Sequence, residues 1–179
     1  MRKQHTQQGV TALLVIDVQK GLFEKSTPIH KADQVLENIN HLIDQARHNN
    51  MPVIFIQHSS PKTLEKGSAA WQLHPQIQPR EEEVVIHKLH GNAFEETNLR
   101  EELEKRNVSV VVITGLVTHG CVKATCLGAL EEGYKVALVS DGHSSYNKDA
   151  AQLIEKWNRT IHEKGADLLE AQKVRFSSN

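Results

Sequence analysis

Cys121 is the residue in this sequence that is best suited to covalent chemistry. It follows the segment GLVTHG (115–120) and opens the predicted helix CVKATCLGALEEG (121–133). Unpaired backbone N–H groups and the positive end of a helix dipole stabilise an anion at such a position. We therefore expect a lowered thiol pKa and a nucleophilic thiolate, the alternative being a small buried hydrophobe. Cys126 lies roughly 140° further round the same helix axis and is expected to be such a core residue.

Two other reactive residues end apolar runs. Asp17 follows VTALLVI (10–16), and Lys88 ends VVIHK (84–88). The Asp17 carboxylate could accept and return a proton, or it could cap the following turn. The Lys88 ammonium could stabilise a thiolate or an oxyanion, or it could be merely solvated.

The elements that must position these residues alternate along the chain. Continuous apolar runs are typical of buried parallel strands, and apolar residues every three or four positions predict helices. The expected strands are 10–16, 52–57, 84–88, 108–115, 135–140 and a possible sixth near 171–176. The expected helices cover 32–48, 95–106, 121–133 and 148–164. This alternation predicts an α/β protein built on a parallel sheet.

Ligands of open parallel sheets bind outside the carboxyl ends of the strands, where the strand order reverses. Asp17, Lys88 and the segment Thr118–Cys121 all follow predicted strands. We therefore expect these three places to converge on one crevice.

Composition excludes several classes of protein. The chain has 179 residues, 39% of them hydrophobic and 24% charged, so it is long enough to bury a core of its own. Its 21 Lys and Arg against 22 Asp and Glu argue against nucleic-acid or anionic-membrane binding. There is no apolar run of membrane-spanning length, and the N-terminus is polar. Cys121 and Cys126 are too close together in the sequence for a disulfide between them to stabilise the fold. We expect a cytoplasmic protein.

Common cofactor and metal motifs are missing from the sequence. Gly115 and Gly120 have the spacing of a phosphate loop, but Cys121 and Val122 follow instead of Lys and Ser or Thr. No G-x-G-x-x-G follows the first strand, and the 11 histidines show no H-x-x-x-H spacing. A metal-dependent hydrolase that uses some of these histidines remains a minor alternative.

Four blocks of the chain resemble the isochorismatase-like cysteine hydrolases, a superfamily that includes nicotinamidases and N-carbamoylsarcosine amidohydrolases. The blocks are ALLVIDVQKGLF (12–23), GSAAWQLHPQI (67–77), VVIHKLHGNAF (84–94) and VVVITGLVTHGCVKATCLGALEEGYKVALVSDG (110–142). The resemblance implies a three-layer α/β/α, Rossmann-like fold with a central, mostly parallel sheet. It also implies one domain over 1–179, in which 1–9 is expected to be a flexible segment.

The resemblance also implies site residues and a reaction. Asp17, Lys88 and Cys121 match the Asp–Lys–Cys triad of the superfamily, and Val117–Thr118 matches its non-proline cis peptide bond. Backbone N–H groups of Thr118 and Cys121 are then expected to form an oxyanion hole. The implied reaction is hydrolysis of an amide or carbamoyl C–N bond through a Cys121 thioester, with no cofactor. Isochorismatase-type vinyl-ether hydrolysis and non-catalytic binding of a small molecule are the alternatives.

Two further expectations follow from the resemblance. Nicotinamidases carry Asp-x-His after the second strand, where this chain has Gln57-His58-Ser59, and His58 with His74 cannot complete that site, so no metal is expected. Relatives usually form homodimers or homotetramers, which is the expectation here.

Substrate choice is expected to depend on the loop 59–80 and on three aromatic residues and a histidine. These candidates are Phe23, Trp71, Phe94 and His119. Trp71 and Phe94, with Leu73, could form an apolar pocket wall, and a role in the core has at least equal weight for each of these three.

Overall fold

Six strands form one sheet in this computed structural model, which describes residues 9–176. All but the last residue of the predicted flexible segment 1–9 lie outside the described residues. The strands are β1 (Val10–Ile16), β2 (Val53–His58), β3 (Val84–Lys88), β4 (Val108–Leu116), β5 (Lys135–Ser144) and β6 (Asp167–Leu169). Every neighbouring pair is parallel.

The strand order β3-β2-β1-β4-β5-β6 reverses direction between β1 and β4. The chain builds outward from β1 to β3 on one side and then returns to pair β4 with the other edge of β1. This reversal opens a crevice at the carboxyl ends of β1 and β4. Asp17 and Cys121 follow these two strands, so the topology places both at the crevice.

Helices cover both faces of the sheet and give the predicted three layers. One face packs against α2 (Ala32–His48) and a short turn at Ala171–Lys173. The other face packs against α3 (Leu99–Glu104), α4 (Lys123–Glu131) and α5 (Ala150–Glu163), while α1 (Lys20–Phe23) is a single turn after β1. The α2 helix buries the apolar stripe that its spacing predicts and ends before Asn50, whose φ of 55° stops the helix.

The predicted sixth strand is misplaced. The strand β6 lies at Asp167–Leu169, and 171–173 form a helical turn instead. Ala171, Val174 and Phe176 all pack into the core against α2. Their apolar character therefore reflects packing of an irregular tail, not a strand.

Gly115 allows β4 to approach β1 closely beside the crevice. Its φ is 121°, and a side chain there would collide with the backbone of Ile16. Ile16 directly precedes Asp17, so this close approach fixes the separation of the two strand ends at the site.

Within residues 9–176, no helix has both the length and the apolar character that crossing a bilayer requires.

Candidate active site

Three strand ends bring Asp17, Lys88 and Cys121 into contact. Lys88 Nζ lies 3.0 Å from Asp17 Oδ2 and donates a hydrogen bond of 3.1 Å to Cys121 Sγ. Asp17 follows β1, and Cys121 follows β4, its neighbour in the sheet. Lys88 ends β3, two strands from β1, so its long side chain is what spans the gap.

The Lys88 ammonium is the centre of this site. The residue is only 1% exposed, although a lysine is almost never fully buried without partners. Four acceptors lie within 3.1 Å of Nζ: Asp17 Oδ2, Cys121 Sγ, His58 Nδ1 and the His90 carbonyl oxygen. An ammonium has three N–H donors, so these four acceptors share them.

Asp17 has the environment expected of a proton acceptor. It is 2% exposed, and its Oδ1 has no hydrogen-bond partner among the described residues. Burial raises the pKa of Asp17, and the Lys88 ammonium acts in the opposite direction. One carboxylate oxygen is therefore held by Lys88 and the other keeps its lone pairs available in a dry setting.

The expectation of a lowered pKa at Cys121 is wrong. Burial raises the pKa of the thiol to about 12, the Asp17 charge adds to the rise, and Lys88 opposes it. The helix α4 begins only at Lys123, so Cys121 lies in the preceding wide turn instead of at the first position of an α-helix. Proton loss from the half-buried sulfur must then be assisted by a base.

The turn at Thr118–Val122 presents the Cys121 backbone in an unusual way. The Val117 carbonyl accepts hydrogen bonds from the N–H groups of Gly120 and Val122. The N–H of Cys121, which lies between them, makes no bond to that carbonyl among the described backbone contacts. The Val117 carbonyl thus does not bind the Cys121 N–H, which is one of the two N–H groups expected to bind an oxyanion.

The non-proline cis peptide bond joins Leu116 and Val117, one residue before the predicted Val117–Thr118. The strand β4 runs through Leu116 instead of ending at residue 115, and the chain changes course directly at the strand's last residue. Thr118 therefore already belongs to the turn that carries Cys121.

A chain of hydrogen bonds, buried at its Thr118 end, connects this turn to the elements packed against it. Thr118 Oγ1 lies 2.8 Å from His143 Nδ1, and His143 Nε2 lies 2.7 Å from Asn158 Oδ1. Asn158 Nδ2 in turn donates to the Ser140 carbonyl over 3.2 Å. The chain links the turn to β5 and α5, and none of its members beyond Thr118 was identified from the sequence.

The sequence indicates His58 only as a candidate metal ligand, yet the residue lies at this site in contact with Lys88. Its Nδ1 lies 3.1 Å from Lys88 Nζ, and His58 is the register partner of Lys88 in the β2–β3 pair. Burial, with the Lys88 charge, lowers the pKa of His58. The fully buried Gln19 holds its backbone, since the Gln19 side chain accepts from the His58 N–H and donates to the His58 carbonyl. A rule that includes every strand end would have found this residue.

The four residues predicted to bind substrate each contact a different partner. Phe23 packs on His74 at 4.5 Å between ring centroids, and Phe94 packs on Tyr134 at 5.8 Å. Trp71 Nε1 donates to Ser59 Oγ, and His119 Nδ1 lies 3.5 Å from Ser145 Oγ. In the described part of the chain, no hydrogen bond or ring contact joins these four residues to the triad.

The donor atoms at the site could also bind a metal. A carboxylate oxygen of Asp17, a ring nitrogen of His58 and Cys121 Sγ all lie within 4.8 Å of one another. The Lys88 ammonium contacts all three residues at 3.0–3.1 Å. An ion bound by this set would have to displace that ammonium.

A family model for the isochorismatase domain matches residues 11–169. The chain belongs to the isochorismatase family. It is 29% identical over 174 residues to YrdC of Bacillus subtilis, an uncharacterized isochorismatase family protein, and the match covers 91% of this chain and 93% of YrdC. It is 31% identical over 144 residues to a streptothricin hydrolase of Streptomyces noursei. That match covers 79% of this chain and 52% of the hydrolase, so the chain spans about half of that relative's length.

Other members of the family extend the comparison. Nicotinamidase 3 of Arabidopsis thaliana is 26% identical over 166 residues, covering 83% of this chain and 80% of the relative. An isochorismatase structure from Pseudomonas putida superposes with a TM-score of 0.85 at 26% identity, covering 92% of this chain and 89% of that one. The predicted family and the α/β/α fold are thereby confirmed, and hydrolase activity agrees with the named relatives.

Proposed function

We propose that this protein is a cysteine hydrolase that cleaves the C–N bond of a small amide or carbamoyl compound through a thioester at Cys121. One observation carries the proposal: a buried ammonium, Lys88, contacts both the Asp17 carboxylate and the Cys121 sulfur. Asp17 Oδ1 has no other partner among the described residues and can take a proton.

In the first step, Sγ of Cys121 attacks the substrate carbonyl carbon as its proton passes to Asp17. A base is required here because the thiol, with its pKa of about 12, is protonated at neutral pH. Lys88 stabilises the negative charge that develops on sulfur. The carbonyl π electrons move to oxygen, where the N–H groups of Thr118 and Cys121 would donate to the oxyanion.

In the second step, the tetrahedral intermediate collapses and the C–N bond breaks. Asp17 returns its proton to the leaving nitrogen, which departs as ammonia or an amine. The acyl group remains on sulfur as a thioester.

In the third step, water attacks the thioester carbonyl while Asp17 accepts a proton from it. The C–S bond breaks, Asp17 returns the proton to the Cys121 sulfur so that the thiol and the carboxylate are both regenerated, and the acid product leaves. The same carboxylate thus acts as base and then as acid in each half of the reaction, which suits a buried group whose pKa is raised from its ordinary value.

The relatives support hydrolysis, and one supports an amide substrate by its name. Nicotinamidase 3 is named for an amide, and the streptothricin hydrolase for a hydrolysis. Asp17, Lys88 and Cys121 correspond to the triad that the sequence resemblance implies. We also propose that Phe23, Trp71, Phe94 and His119 contribute to substrate selection and that the protein forms a homodimer or homotetramer.

Ammonia release from a panel of primary amides and ureido compounds tests this function. We expect turnover of at least one compound by the wild type and by Cys126→Ala, and none by Cys121→Ala. Turnover of an amide by Cys121→Ala would contradict covalent catalysis. Cleavage of a vinyl ether that survives Cys121→Ala but not Asp17→Ala would favour isochorismatase-type chemistry instead.

A further inference from the structure

Thr118, His143 and Asn158 form a hydroxyl–imidazole–amide chain in the protein interior. Thr118 and His143 are each 1% exposed, and their side chains meet at 2.8 Å. The triad contacts described above do not include His143 or Asn158. Buried polar groups such as these are costly unless they are fully paired, so their arrangement requires an explanation.

The direction of every hydrogen bond in this chain follows from its last member. The Ser140 carbonyl can only accept, so the group of Asn158 that faces it is the amide NH₂. Asn158 Oδ1 then faces His143 and accepts from Nε2–H. The proton on Nε2 leaves Nδ1 with a lone pair, and the Thr118 hydroxyl must donate to it.

Thr118 occupies the position at which this direction matters for chemistry. It is the first residue of the turn that carries Cys121, and its N–H is one of the two expected oxyanion donors. Fixing the Thr118 hydroxyl therefore fixes the start of the turn.

We propose that His143 and Asn158 are positioning residues, which act through the Thr118 hydroxyl to hold the oxyanion-binding turn in its productive orientation. The inference rests on the proposed function, because it assigns the turn a part in acyl transfer. The order hydroxyl–imidazole–amide resembles that of a catalytic hydroxyl, its histidine base and the residue that orients the histidine. Since the Thr118 hydroxyl is buried, it serves to anchor the turn and not to attack substrate.

Another asparagine that binds a carbonyl of β5 shows what Asn158 adds. Asn38 on α2 donates to the Asp141 carbonyl at 2.9 Å, next along β5 from the Ser140 carbonyl that Asn158 binds. Both residues tie a helix to β5 by the same type of bond, from opposite faces of the sheet. Only the Asn158 amide also orients an imidazole among the described contacts, so Asn38 provides a matched control.

The imidazole stays neutral in this setting. Burial lowers the pKa of His143 to about 4, while the Asn158 hydrogen bond and the Asp141 charge act in the opposite direction. His30, Lys31 and Asp141 are the other titratable groups lining the cavity of about 230 Å³ beside His143. A neutral imidazole keeps the Nδ1 lone pair that the Thr118 hydroxyl requires.

Two chemical probes separate turn positioning from thiol activation. Acylation of Cys121 by p-nitrophenyl acetate needs an oxyanion site, whereas alkylation by iodoacetamide displaces iodide and needs none. Thr118→Val should lower the acylation rate roughly 10- to 100-fold and leave the alkylation rate within about twofold. Thr118→Ser, which keeps the hydroxyl, should restore most of the acylation rate.

The control for this experiment is Thr114→Val. Thr114 is also fully buried on β4, and its hydroxyl donates to the Leu14 carbonyl at 3.1 Å. It should lower thermal stability without the selective loss of acylation. An equal loss of acylation in both variants, parallel losses of acylation and alkylation in Thr118→Val, or no loss in Thr118→Val would each overturn the proposal.

Substitution at Asn158 gives a pH-dependent readout that simple packing would not produce. The carboxylate in Asn158→Asp would favour the imidazolium of His143, whose Nδ1–H would then donate to the Thr118 hydroxyl oxygen and reverse the direction of that hydrogen bond. Relative to the wild type, acylation by Asn158→Asp should fall progressively as the pH drops from 8 to 5. Asn38→Asp should show a ratio that does not change with pH, and a flat ratio for Asn158→Asp would contradict the proposal.

Nitrogen-15 NMR of the imidazole tests the chain independently of turnover. In the wild type, His143 should carry its proton on Nε2 and show no titration between pH 5 and 9. A proton on Nδ1 would contradict the assigned direction. If Cys121 is alkylated but never acylated in the wild type, the proposed function fails, and this NMR result still decides whether the chain exists as described.

Discussion

Cys121 and Cys126 lie five residues apart on one connecting segment, and the pKa of each thiol is raised to about 12. At Cys126 burial is the whole cause, because the residue is fully buried within an apolar core cluster. At Cys121 burial is the largest cause, but Asp17 and Lys88 also act on the sulfur, in opposite directions.

This comparison shows that the resting pKa does not distinguish the proposed nucleophile, Cys121, from the core residue Cys126. What distinguishes them is whether a base and a cation lie close enough to take the proton and stabilise the charge as the bond forms. Cys121 has both within contact range, and Cys126 has neither among the described contacts. The predictions below test this difference, beginning with the largest effect.

Removing each sulfur in turn should separate the two cysteines most strongly. Cys121→Ala should lower amide turnover roughly 10⁴-fold or more, because it removes the nucleophile itself. Cys126→Ala should leave kcat within about threefold, since its side chain only packs. Steady-state ammonia release checks both. Comparable losses in the two variants would remove the proposed distinction between them.

Asp17→Asn should change turnover and thiol reactivity in opposite directions. Loss of the base should lower turnover roughly 10²- to 10⁴-fold. The Asp17 charge raises the pKa of Cys121, so its removal should lower that pKa and speed alkylation by iodoacetamide at pH 8. If alkylation and turnover instead change in the same direction in Asp17→Asn, Asp17 acts only on the resting thiol. A thermal melt of the variant controls for the loss of the Lys88 counterion.

Lys88→Met should slow alkylation at Cys121 and leave Cys126 unchanged. The Lys88 charge lowers the pKa of Cys121, so its loss should raise that pKa and cut the thiolate fraction roughly tenfold per pKa unit. Mass spectrometry of the two cysteine peptides after iodoacetamide treatment at pH 8–9 measures this. Lys123→Met is the matched control, because Lys123 lies over the Trp157 ring and not on the sulfur. A similar slowing in both variants would refute a specific effect.

The acid side of the pH profile should also move in Lys88→Met. In the proposed mechanism, turnover needs Asp17 as the carboxylate, so activity should be lost as the pH falls through the pKa of that group. Lys88 lowers the pKa of Asp17 against the larger effect of burial. Its removal should therefore shift the acid limb of kcat/KM to higher pH. A limb that stays in place or moves down would mean that another group controls it.

The free energy of unfolding should fall more in Cys126→Ala than in Cys121→Ala, which is the opposite of the order expected for turnover. Cys126 is fully buried, so Cys126→Ala should lower the free energy of unfolding by about 1–2 kcal/mol through lost packing. Cys121 is only half-buried, and its replacement should cost less. Urea unfolding of both variants measures the difference. A larger loss at Cys121 would show that its sulfur is itself a structural element.

Much of the fold could be predicted because most strands are buried on both faces. Central parallel strands produce continuous apolar runs, so β1 has the predicted bounds, and the apolar stripe of α2 gives its bounds as well. The edge strand β3 also has the predicted bounds, although it is not buried along its whole length. The three-residue strand β6 produces no such run. The tail after β6 is apolar because it packs on α2. Apolar spacing alone does not distinguish such a tail from a strand.

The convergence at the site was predictable from strand ends, while its electrostatics were not. Parallel strands bring their carboxyl ends to one edge, and Asp17, Lys88 and Cys121 meet there. The depth of burial, which sets the thiol pKa, depends on packing from distant segments. His143 and Asn158 pair across two elements through side chains alone, and no spacing in the sequence marks such a pair.

Trapping the acyl-enzyme tests the central claim most directly. Wild-type protein would be mixed with p-nitrophenyl acetate, quenched in acid within seconds and digested, and the peptides carrying Cys121 and Cys126 would be weighed. We predict an acetyl group on Cys121 that hydroxylamine removes, with Cys126 unmodified and no adduct on this segment in Cys121→Ala. Turnover of the ester that is unchanged in Cys121→Ala, with no acetyl group ever found on Cys121, would contradict catalysis by this cysteine.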